Sequence, residues 1–468
     1  MTNWQSVIGC EIHVHLGTET KMFCRCATGF GDPENTRTCP VCLAHPGSLP
    51  VPNARAIEWT IKLGLALGCE IAPRAIFNRK NYFYPDNPKG YQISQYDEPL
   101  CVDGAVDVPG PDGSTRVGIV RAHLEEDAAK NVHMGGAEGR IHGADRTLVD
   151  FNRAGTPLVE IVTRPDLHSA EEAKRFLQLL RQTVRELGIS NAEMQEGSMR
   201  FDVNVSVRPE GTDELRTRTE LKNINSFNFA AQGIEREIQR QIAIYESGGE
   251  VEQETLHFVP GIEDAPPLRS KEEAQDYRYF PEPDLVPIQP PAELIERVRA
   301  ELGELPAARI LRLAEELDYS LAEGLVTGGR DELYSRTPGE PRRTVANVLM
   351  NELTAAGVDP ANVYGDELAR LIEARDRIPR ETFTKALAAS ADDDFDAGAY
   401  LGEALIADAS ELDPVIEQII AAHEEQVAAY RAGKEGLLGF LVGQVMRETQ
   451  GKANPRIVNE RLREKLRT

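Results

Sequence analysis

The segment Val7–Cys26, VIGCEIHVHLGTETKMFCRC, indicates how the first part of the chain folds. Its first half alternates apolar and polar side chains with period 2, which is typical of a β-strand with one buried face. The polar face of this strand carries three ionisable side chains, Glu11, His13 and His15. The strand then runs into a Cys-x-Cys pair. The segment therefore predicts an acidic, imidazole-bearing sheet face close to paired thiols.

The same alternation recurs further along the chain, for example in RFDVNVSVRP, TRVGIVRAHLEED and TPLVEIVTRPD. Clusters of Pro, Gly, Asp and Asn separate these runs, as expected for an antiparallel sheet with turns between its strands. Helices interrupt the sheet. One follows a capping box formed by Ser169 and Glu172, and a second is predicted from about residue 228 to 247. We therefore predict an α+β fold for this part.

The composition changes after the Pro-rich run at residues 281–291, beyond which the chain is rich in Ala, Leu, Glu and Arg. We predict three domains: residues 1–290 form a cradle built mainly on the antiparallel sheet, 291–400 an all-α domain, and 401–468 a small helical tail. The tail should contain three helices, at about residues 414–431, 435–449 and 455–466.

The charge distribution limits the classes of partner. The 468 residues carry a net charge of −24, which argues against a protein that coats itself with nucleic acid. Residues 431–468 hold nine Lys or Arg against four Asp or Glu, so this tail could make one local contact with a polyanion. Composition alone favours the plainer alternative of a solvated helical surface.

The cellular setting follows from the cysteines and the hydropathy. No apolar run approaches the roughly 18 to 20 residues that a membrane-spanning helix needs. The strand that starts at Val7 leaves no room for a signal peptide, and seven cysteines is an odd number. We therefore expect a reducing, cytoplasmic location without a membrane partner.

Four of the cysteines form two close pairs, Cys24-x-Cys26 and Cys39-x-x-Cys42, separated by twelve residues. Thiolates on paired turns supply the four soft ligands of a tetrahedral zinc ion. Full Cys₄ coordination leaves no open position, so the role would be structural. Free thiols or redox disulfides are the alternatives.

Carboxylates gather in two other predicted strands. Glu125, Glu126 and Asp127 are consecutive, and Glu160 lies within an otherwise apolar run. A carboxylate between Val159 and Ile161 must be paired, hydrogen-bonded or metal-bound. Hard oxygen ligands with an imidazole suit Mg²⁺ or Mn²⁺. An ordinary wet sheet face, with salt bridges to Arg121, Arg153 and Arg164, explains the pattern equally well.

A third unusual stretch combines basic and aromatic residues. Arg79 and Lys80 precede several tyrosines, and such groups can hold phosphate and stack a base. A packed aromatic loop is the commoner explanation. The sequence has no P-loop, no G-x-S-x-G elbow and no Gly-rich double-serine signature.

Several long motifs resemble the B-subunit (GatB) family of aspartyl/glutamyl-tRNA amidotransferases. They include RKNYFYPDNPKGYQISQYDEPL, DFNRAGTPLVEIV, EGSMRFDVNVSVRP and GFLVGQVMRETQGKANPRIVNERLREKL, and they follow one another along nearly the whole chain. The resemblance implies ATP-dependent phosphorylation of the side-chain carboxylate of Glu-tRNA(Gln) or Asp-tRNA(Asn), followed by amidation. An amidase partner, which is the A subunit of such enzymes, would supply the ammonia, and a small C subunit would complete a heterotrimer.

The resemblance also implies site residues. The predicted catalytic residues, which fall on the family's magnesium positions, are Glu11, His13, Glu126 and Glu160. Glu125 is an adjacent candidate ligand, and His15 stands where the family usually has Glu or Gln. The predicted ATP and phosphate contacts are Arg79, Lys80, Asp202, Glu220 and Lys222. The structural zinc ligands are Cys24, Cys26, Cys39 and Cys42. The predicted tRNA contacts are Arg447, Lys452, Arg456, Arg461, Arg463, Lys465 and Arg467.

One alternative stays open: a non-catalytic tRNA-binding scaffold in which both the zinc and the acidic sites are structural. The sequence does not decide which of the two misacylated tRNAs is the substrate, which metal the site prefers or which residues hold the adenine of ATP.

Overall fold

The computed structural model describes residues 3–135, 143–257, 269–270, 276–402, 409–449 and 451–467. The chain divides into two compact units, Met1–Ala308 and Arg309–Thr468. The first unit combines sheets and helices, and the second is helical, so the predicted α+β class is confirmed. The division into three domains stays a prediction.

The first unit is built on a nine-stranded sheet with the order β13-β12-β11-β10-β1-β9-β6-β5-β2. Its neighbouring strands are antiparallel except β11 and β12, which are parallel. The strands of this sheet are β1 (Trp4–His15), β2 (Glu70–Ile71), β5 (Cys101–Gly110), β6 (Gly113–Glu126), β9 (Pro157–Thr163), β10 (Met199–Pro209), β11 (Thr219–Ile224), β12 (Glu254–His257) and β13 (Arg269–Ser270).

Two smaller sheets complete the strands of this unit. One has the order β14-β3-β4 and comprises β3 (Asn78–Asn81), β4 (Tyr91–Ser94) and β14 (Phe280–Pro281). The other is a hairpin of β7 (Lys130–Met134) and β8 (Arg146–Asp150). The small sheet contacts the end of β6, where the Ser94 hydroxyl donates a hydrogen bond to Glu125 at 3.2 Å.

The core of this unit lies on the apolar face of the large sheet. Ile12 and Val203 are fully buried, and Phe201 stacks on Phe227 at the start of a helix. The helices of this unit are α1 (Ala54–Ala66), α2 (Ala170–Glu186), α3 (Phe227–Glu246) and α4 (Ala292–Ala300). The capping box is confirmed at the start of α2, where Ser169 accepts a hydrogen bond from the Glu172 amide at 3.1 Å.

The second unit holds ten α-helices among the described residues. They are α5 (Pro306–Leu313), which begins at the end of the first unit, α6 (Tyr319–Thr327), α7 (Asp331–Arg336), α8 (Arg342–Asn347), α9 (Gly365–Glu373), α10 (Arg380–Ala389), α11 (Ala409–Ala422), α12 (Glu424–Arg431), α13 (Leu437–Glu448) and α14 (Pro455–Arg467). A π-helical turn, Val348–Leu353, continues α8.

The tail contains four helices among its described residues, whereas the sequence predicted three. The predicted helix at 414–431 is divided at His423, whose backbone (φ −127°, ψ 47°) departs from helical geometry. Pro414 lies inside α11 and not at its start. Leu412, Leu441, Val458 and their neighbours form a buried cluster, so the four helices share one core. In the described part of the chain, no helix is both long and apolar enough to cross a membrane.

Candidate metal centres and active site

The register of the large sheet brings the predicted acidic residues together. Strand β9 lies between β1 and β6, so Glu160 is directly opposite His13 on one side and His123 on the other. Arg200 on β10 is opposite His13 and extends the row across a fourth strand. Directly paired residues point to the same face of a sheet. The polar face therefore carries a continuous row of ionisable groups with Glu160 near its centre.

The side chains of this row and its neighbours converge on one point. Nε2 of His13 lies 3.5 Å from Glu160 Oε2, 3.7 Å from Glu125 Oε1 and 3.8 Å from Glu11 Oε1. Ligands of an octahedral ion with bonds near 2.1 Å are separated by about 3.0 to 4.2 Å, so each of these distances from His13 suits two ligands of one ion. The ligand atoms of Glu11, His13 and Glu160 lie within 4.8 Å of one another, and those of His123, Glu125 and Glu160 form an overlapping group. The residues thus suit a hard divalent cation such as Mg²⁺ or Mn²⁺.

Burial and mutual repulsion shape the ionisation of these carboxylates. Burial, reinforced by Glu160, raises the pKa of Glu125 to about 7. Burial and Glu160 also raise the pKa of Glu11. Burial opposes the charge of Glu160 as well, but His123, His13 and Lys80 outweigh it and lower the Glu160 pKa. Crowded buried anions of this kind are stabilised by a cation at their centre.

His13 is the imidazole at the centre of the cluster. Burial disfavours its protonated form, but Glu160 and Glu125 outweigh this effect and raise its pKa. A cation bound here would displace the protons that His13 and Glu125 carry below their raised pKa values, because metal ligands must be deprotonated.

The structure places Glu125, and not Glu126, in this cluster. Adjacent residues on β6 point to opposite faces, so only one of the two can reach His13. Glu126 instead forms an ion pair with Lys89 and accepts a hydrogen bond from the Ile93 amide at 3.0 Å. The predicted metal ligation by Glu126 is not supported by this geometry, which favours Glu125 in its place.

The two basic residues of the aromatic stretch have different surroundings. Arg79 makes a bidentate salt bridge to Glu282, at 2.6 and 2.8 Å, which argues against its predicted contact with phosphate. Lys80 lies over the Tyr277 ring, 4.8 Å from its centroid. Burial disfavours the charge of Lys80, but Glu125 and other nearby groups outweigh it and raise the pKa. Lys80 has no salt bridge within 4 Å among the described residues, so its ammonium can meet an anion.

The remaining predicted phosphate contacts lie beside Glu11. Asp202 is opposite Glu11 in the sheet, and Lys222 bridges Asp202 and Glu220 at 3.1 Å from each. A cleft of about 560 Å³ opens over this part of the polar face. Its lining includes Glu11, Arg121, Arg216, Arg218, Glu220 and Tyr277. This volume is within the usual range for small-molecule sites, and its arginines suit a polyanion.

His15 belongs to a neighbouring network and not to the cluster of His13. Its Nε2 lies 2.6 Å from the buried Asp127. Asp127 also meets Arg200 at 2.9 Å and Arg153 at 3.4 Å. Burial disfavours the charge of Asp127, but Arg200 and Arg153 outweigh it and lower its pKa. The network fixes Arg200 at the edge of the acidic cluster.

The four predicted zinc ligands also converge. Their sulfur atoms all lie within 4.8 Å of one another, and the Sγ atoms of Cys39 and Cys42 are 3.9 Å apart. Zn–S bonds of about 2.3 Å in a tetrahedron place sulfurs about 3.8 Å apart, so the arrangement fits zinc. The Cys24 thiol hydrogen-bonds Cys42 and lowers its pKa to about 4. All seven cysteines are free thiols.

A buried lysine accompanies the thiol cluster. Lys21 is only 1% exposed, and its ammonium donates to the Phe151 carbonyl at 3.1 Å. Among the described residues it has no carboxylate partner. The Cys24 hydrogen bond lowers the pKa of Cys42 most, burial opposes this, and the Cys39 amide and then the charge of Lys21 lower the pKa further. A buried cation beside four thiolates would offset part of the net charge of a Cys₄ zinc centre.

The basic residues of the tail divide into two groups. Arg461 and Lys465 pair with Asp413 of α11, and Arg456 pairs with Glu460. Of the predicted tRNA contacts, the exposed side chains that make no ion pair among the described residues are Arg447, Lys452, Arg463 and Arg467. The second group is available for phosphate contacts, whereas Arg461 and Lys465 are half-buried and hold the helices together.

Sequence reasoning missed His123. This residue is buried on β6 between Glu160 and Arg121, and its Nε2 lies 3.6 Å from Glu160 Oε2. Burial lowers its pKa to about 4. The alternation that placed Glu125 on a face also places His123 there, two residues away, so the signal was present.

The fold and the two clusters define the class of protein: an α+β unit with two groups of potential metal ligands, followed by a helical unit with a basic tail. Family comparisons agree with this architecture. The GatB/GatE catalytic domain family matches residues 6–296, and the GatB domain family matches residues 334–466.

Relatives match over almost their full length. The B subunit of aspartyl/glutamyl-tRNA(Asn/Gln) amidotransferase from Geotalea daltonii is 46% identical, covering 99% of both chains. Proteins of the same name from Thermobifida fusca and Symbiobacterium thermophilum are 45% and 46% identical, covering 97% of this chain and 92% and 96% of theirs. The chain therefore belongs to the GatB family of amidotransferase subunits.

Proposed function

We propose that this chain is the carboxylate-activating subunit of a glutamine-hydrolysing, ATP-dependent tRNA amidotransferase. It would transfer the γ-phosphoryl group of ATP to the side-chain carboxylate of Glu-tRNA(Gln) or Asp-tRNA(Asn), which leaves ADP. Ammonia then displaces the phosphate and leaves the amide. The observation that carries this proposal is the convergence of Glu11, Glu125 and Glu160 on His13, beside a cleft whose lining includes three arginines.

The chemistry requires such a site. A free carboxylate resists attack by ammonia because its leaving group would be oxide, and phosphorylation supplies a better one. The transfer brings anionic ATP towards an anionic carboxylate, so positioning and charge neutralisation dominate the catalysis. His13, Glu125, Glu160 and Glu11 would hold a divalent ion, which would supply the positive charge that neutralises the phosphate groups. Two such anions could not otherwise approach the buried Glu160.

The other residues of the polar face have supporting roles. The cleft beside Glu11 would take ATP, with Arg121 and Arg218 close to the polyphosphate. Lys222 keeps Asp202 and Glu220 in place along the same face. Lys80 presents a buried ammonium beside Glu125, where it can bind the substrate carboxylate or the phosphate that it receives.

Other parts of the assembly would supply ammonia and hold the tRNA. The chain shows no signature of an amidase nucleophile, so a partner amidase, the A subunit, together with the small C subunit, would release ammonia from glutamine. The exposed basic group of the tail would hold tRNA through its phosphates. The four-cysteine cluster would bind zinc as a structural ion, because all four ligand positions are filled by thiolates.

The decisive variant for this function is Glu160→Gln in the assembled enzyme. Cleavage of ATP that depends on misacylated tRNA should fall at least about 100-fold, because even indirect partners of a metal ligand are worth 10- to 100-fold. Binding of tRNA should be unchanged. The matched control is Glu171→Gln, at an exposed carboxylate in the first turn of α2. Normal turnover by Glu160→Gln would overturn the proposal and favour the scaffold alternative.

The proposed contact between the tail and tRNA is tested by the salt dependence of tRNA binding. The double variant Lys452→Gln/Arg463→Gln should weaken tRNA binding and reduce the slope of log affinity against log salt by about 1 for each phosphate contact removed. A control double variant, Arg343→Gln/Arg377→Gln, changes exposed arginines outside the tail. Equal slopes for both double variants would exclude the tail as the tRNA contact.

A further inference from the structure

His123 can be interpreted in two ways. It forms a second candidate metal-binding group with Glu125 and Glu160, which overlaps the group of Glu11, His13 and Glu160. In one interpretation His123 is a metal ligand, and Glu160 bridges two ions. In the other, His123 holds Glu160 in place for a single ion. The contacts of its two ring nitrogens distinguish these possibilities.

The first contact is with Arg121. Nε of Arg121 lies 3.4 Å from Nδ1 of His123 in a hydrogen bond. A guanidinium has donors only, so Nδ1 must be the acceptor. In a neutral imidazole one nitrogen accepts and the other carries the proton, which leaves the hydrogen on Nε2. A nitrogen that carries a hydrogen has no lone pair in the ring plane with which to bind a metal.

The second contact is with Glu160. Nε2 of His123 lies 3.6 Å from Glu160 Oε2, slightly beyond hydrogen-bond distance, and a small rotation of the carboxylate would close this gap. The Arg121 guanidinium also lies 3.9 Å from Glu160 Oε1. Arg121 and His123 therefore approach both oxygens of Glu160 from the β6 side, while His13 approaches from the β1 side.

We propose that His123 is a positioning residue, held by Arg121 with its proton on Nε2, that orients the Glu160 carboxylate towards a single ion at His13. This role rests on the proposed metal-dependent function. Metal-bound groups commonly have such hydrogen-bond partners, and the loss of one lowers metal affinity by 10- to 100-fold. The donor that orients Glu160 is His123, which lies on β6. Strand β6 therefore helps to align the metal ligands that β1 and β9 contribute.

The test uses Mn²⁺ as the probe in the zinc-loaded full chain, with pulsed electron paramagnetic resonance to detect directly bound nitrogen. We expect one strongly coupled imidazole nitrogen, present in His123→Gln and His123→Leu and absent in His13→Gln. His123→Leu should weaken Mn²⁺ binding by about 10- to 100-fold. His123→Gln should restore most of this loss, because its amide N–H can replace the imidazole donor. Thermal unfolding and zinc content verify that each variant is folded.

Two results would overturn the proposal: loss of a nitrogen coupling in His123→Gln, which would make His123 a ligand, or unchanged Mn²⁺ affinity in a folded His123→Leu. Failure of the wild-type chain to bind Mn²⁺ at His13 would be a different outcome. It would refute the proposed metal-dependent function itself, and with it any role for His123 towards an ion.

Discussion

The two candidate metal centres of the first unit are assembled in opposite ways. The cysteine cluster comes from two loops within Cys24–Cys42, and three of its four thiols are partly exposed. The carboxylate cluster comes from three strands, between Glu11 and Glu160, and its central groups are buried. The first offers soft sulfur ligands and the second hard oxygens with an imidazole. Local chain geometry is sufficient for the first, whereas the second exists only when the sheet has its correct register.

This difference implies that the two centres should respond independently to mutation. Loss of the thiol cluster should release a loop segment from its metal and lower stability, while the sheet retains its register. Loss of a carboxylate should weaken binding of the ion at the carboxylate cluster. The fold should stay intact, because the substitution relieves repulsion among buried anions. The following predictions are ordered from the largest expected effect to the smallest.

Cys39→Ser should have the largest effect on zinc and stability. Removal of a structural metal is one of the few single changes that can lower the free energy of unfolding by more than about 4 kcal/mol. Zinc content measured by atomic absorption should fall, while the folded fraction should retain wild-type Mn²⁺ affinity. Cys69→Ala, a thiol outside the cluster, is the control for zinc content. Full stability without zinc would show that the ion is not structural.

Glu125→Gln and Glu126→Gln separate the two neighbouring carboxylates of β6. Calorimetric titration with Mn²⁺ should show about a 100-fold loss of affinity for Glu125→Gln, because that carboxylate faces His13. Glu126→Gln should retain the affinity, since its partner is Lys89. The reverse result would place the ion on the other side of β6 and restore the ligand predicted from the sequence.

Lys21→Met removes the buried cation beside the thiols. Competition with a chelator should show an affinity for zinc that is about tenfold lower, because the positive charge that partly offsets the four thiolates is removed. Lys62→Met is the matched control, since the Lys62 ammonium also donates to a backbone carbonyl, that of Leu187, away from the cluster. Equal zinc retention by both variants would contradict this charge-balancing role.

The pH dependence should give the smallest effect, with opposite signs for stability and metal affinity. In the folded, metal-free chain Glu125 keeps its proton up to about pH 7, whereas the unfolded carboxyl loses it near 4.5. The free energy of unfolding without metal should therefore fall as pH rises through this window. Mn²⁺ affinity should rise over the same window, because binding displaces that proton.

Glu125→Gln is the control for this pH dependence, since it has no carboxyl proton to lose at that position. In this variant, the free energy of unfolding and the Mn²⁺ affinity should both change less with pH. Chemical denaturation and Mn²⁺ titration at each pH measure these two quantities. Identical pH profiles in the two proteins would assign the proton to another group.

The sequence predicted most of this arrangement where the signal was local. The alternation in β1 placed Glu11 and His13 on one face, and the spacing of the cysteines predicted their convergence. The sequence did not separate Glu125 from Glu126, because a strand pattern does not say which face meets a partner strand until the register is known. His123 was overlooked although the alternation of β6 places it on the same face as Glu125. The break at His423 had no turn residue to mark it.

The most direct test of the central claim is anomalous diffraction from crystals of the zinc-loaded full chain soaked with Mn²⁺, recorded at the manganese edge. We predict a single manganese peak within bonding distance of His13, Glu125 and Glu160, with Glu126 still paired to Lys89. A peak bound by Glu126, or the absence of manganese between β1, β9 and β6, would contradict the assignment of this polar face as the site of phosphoryl transfer.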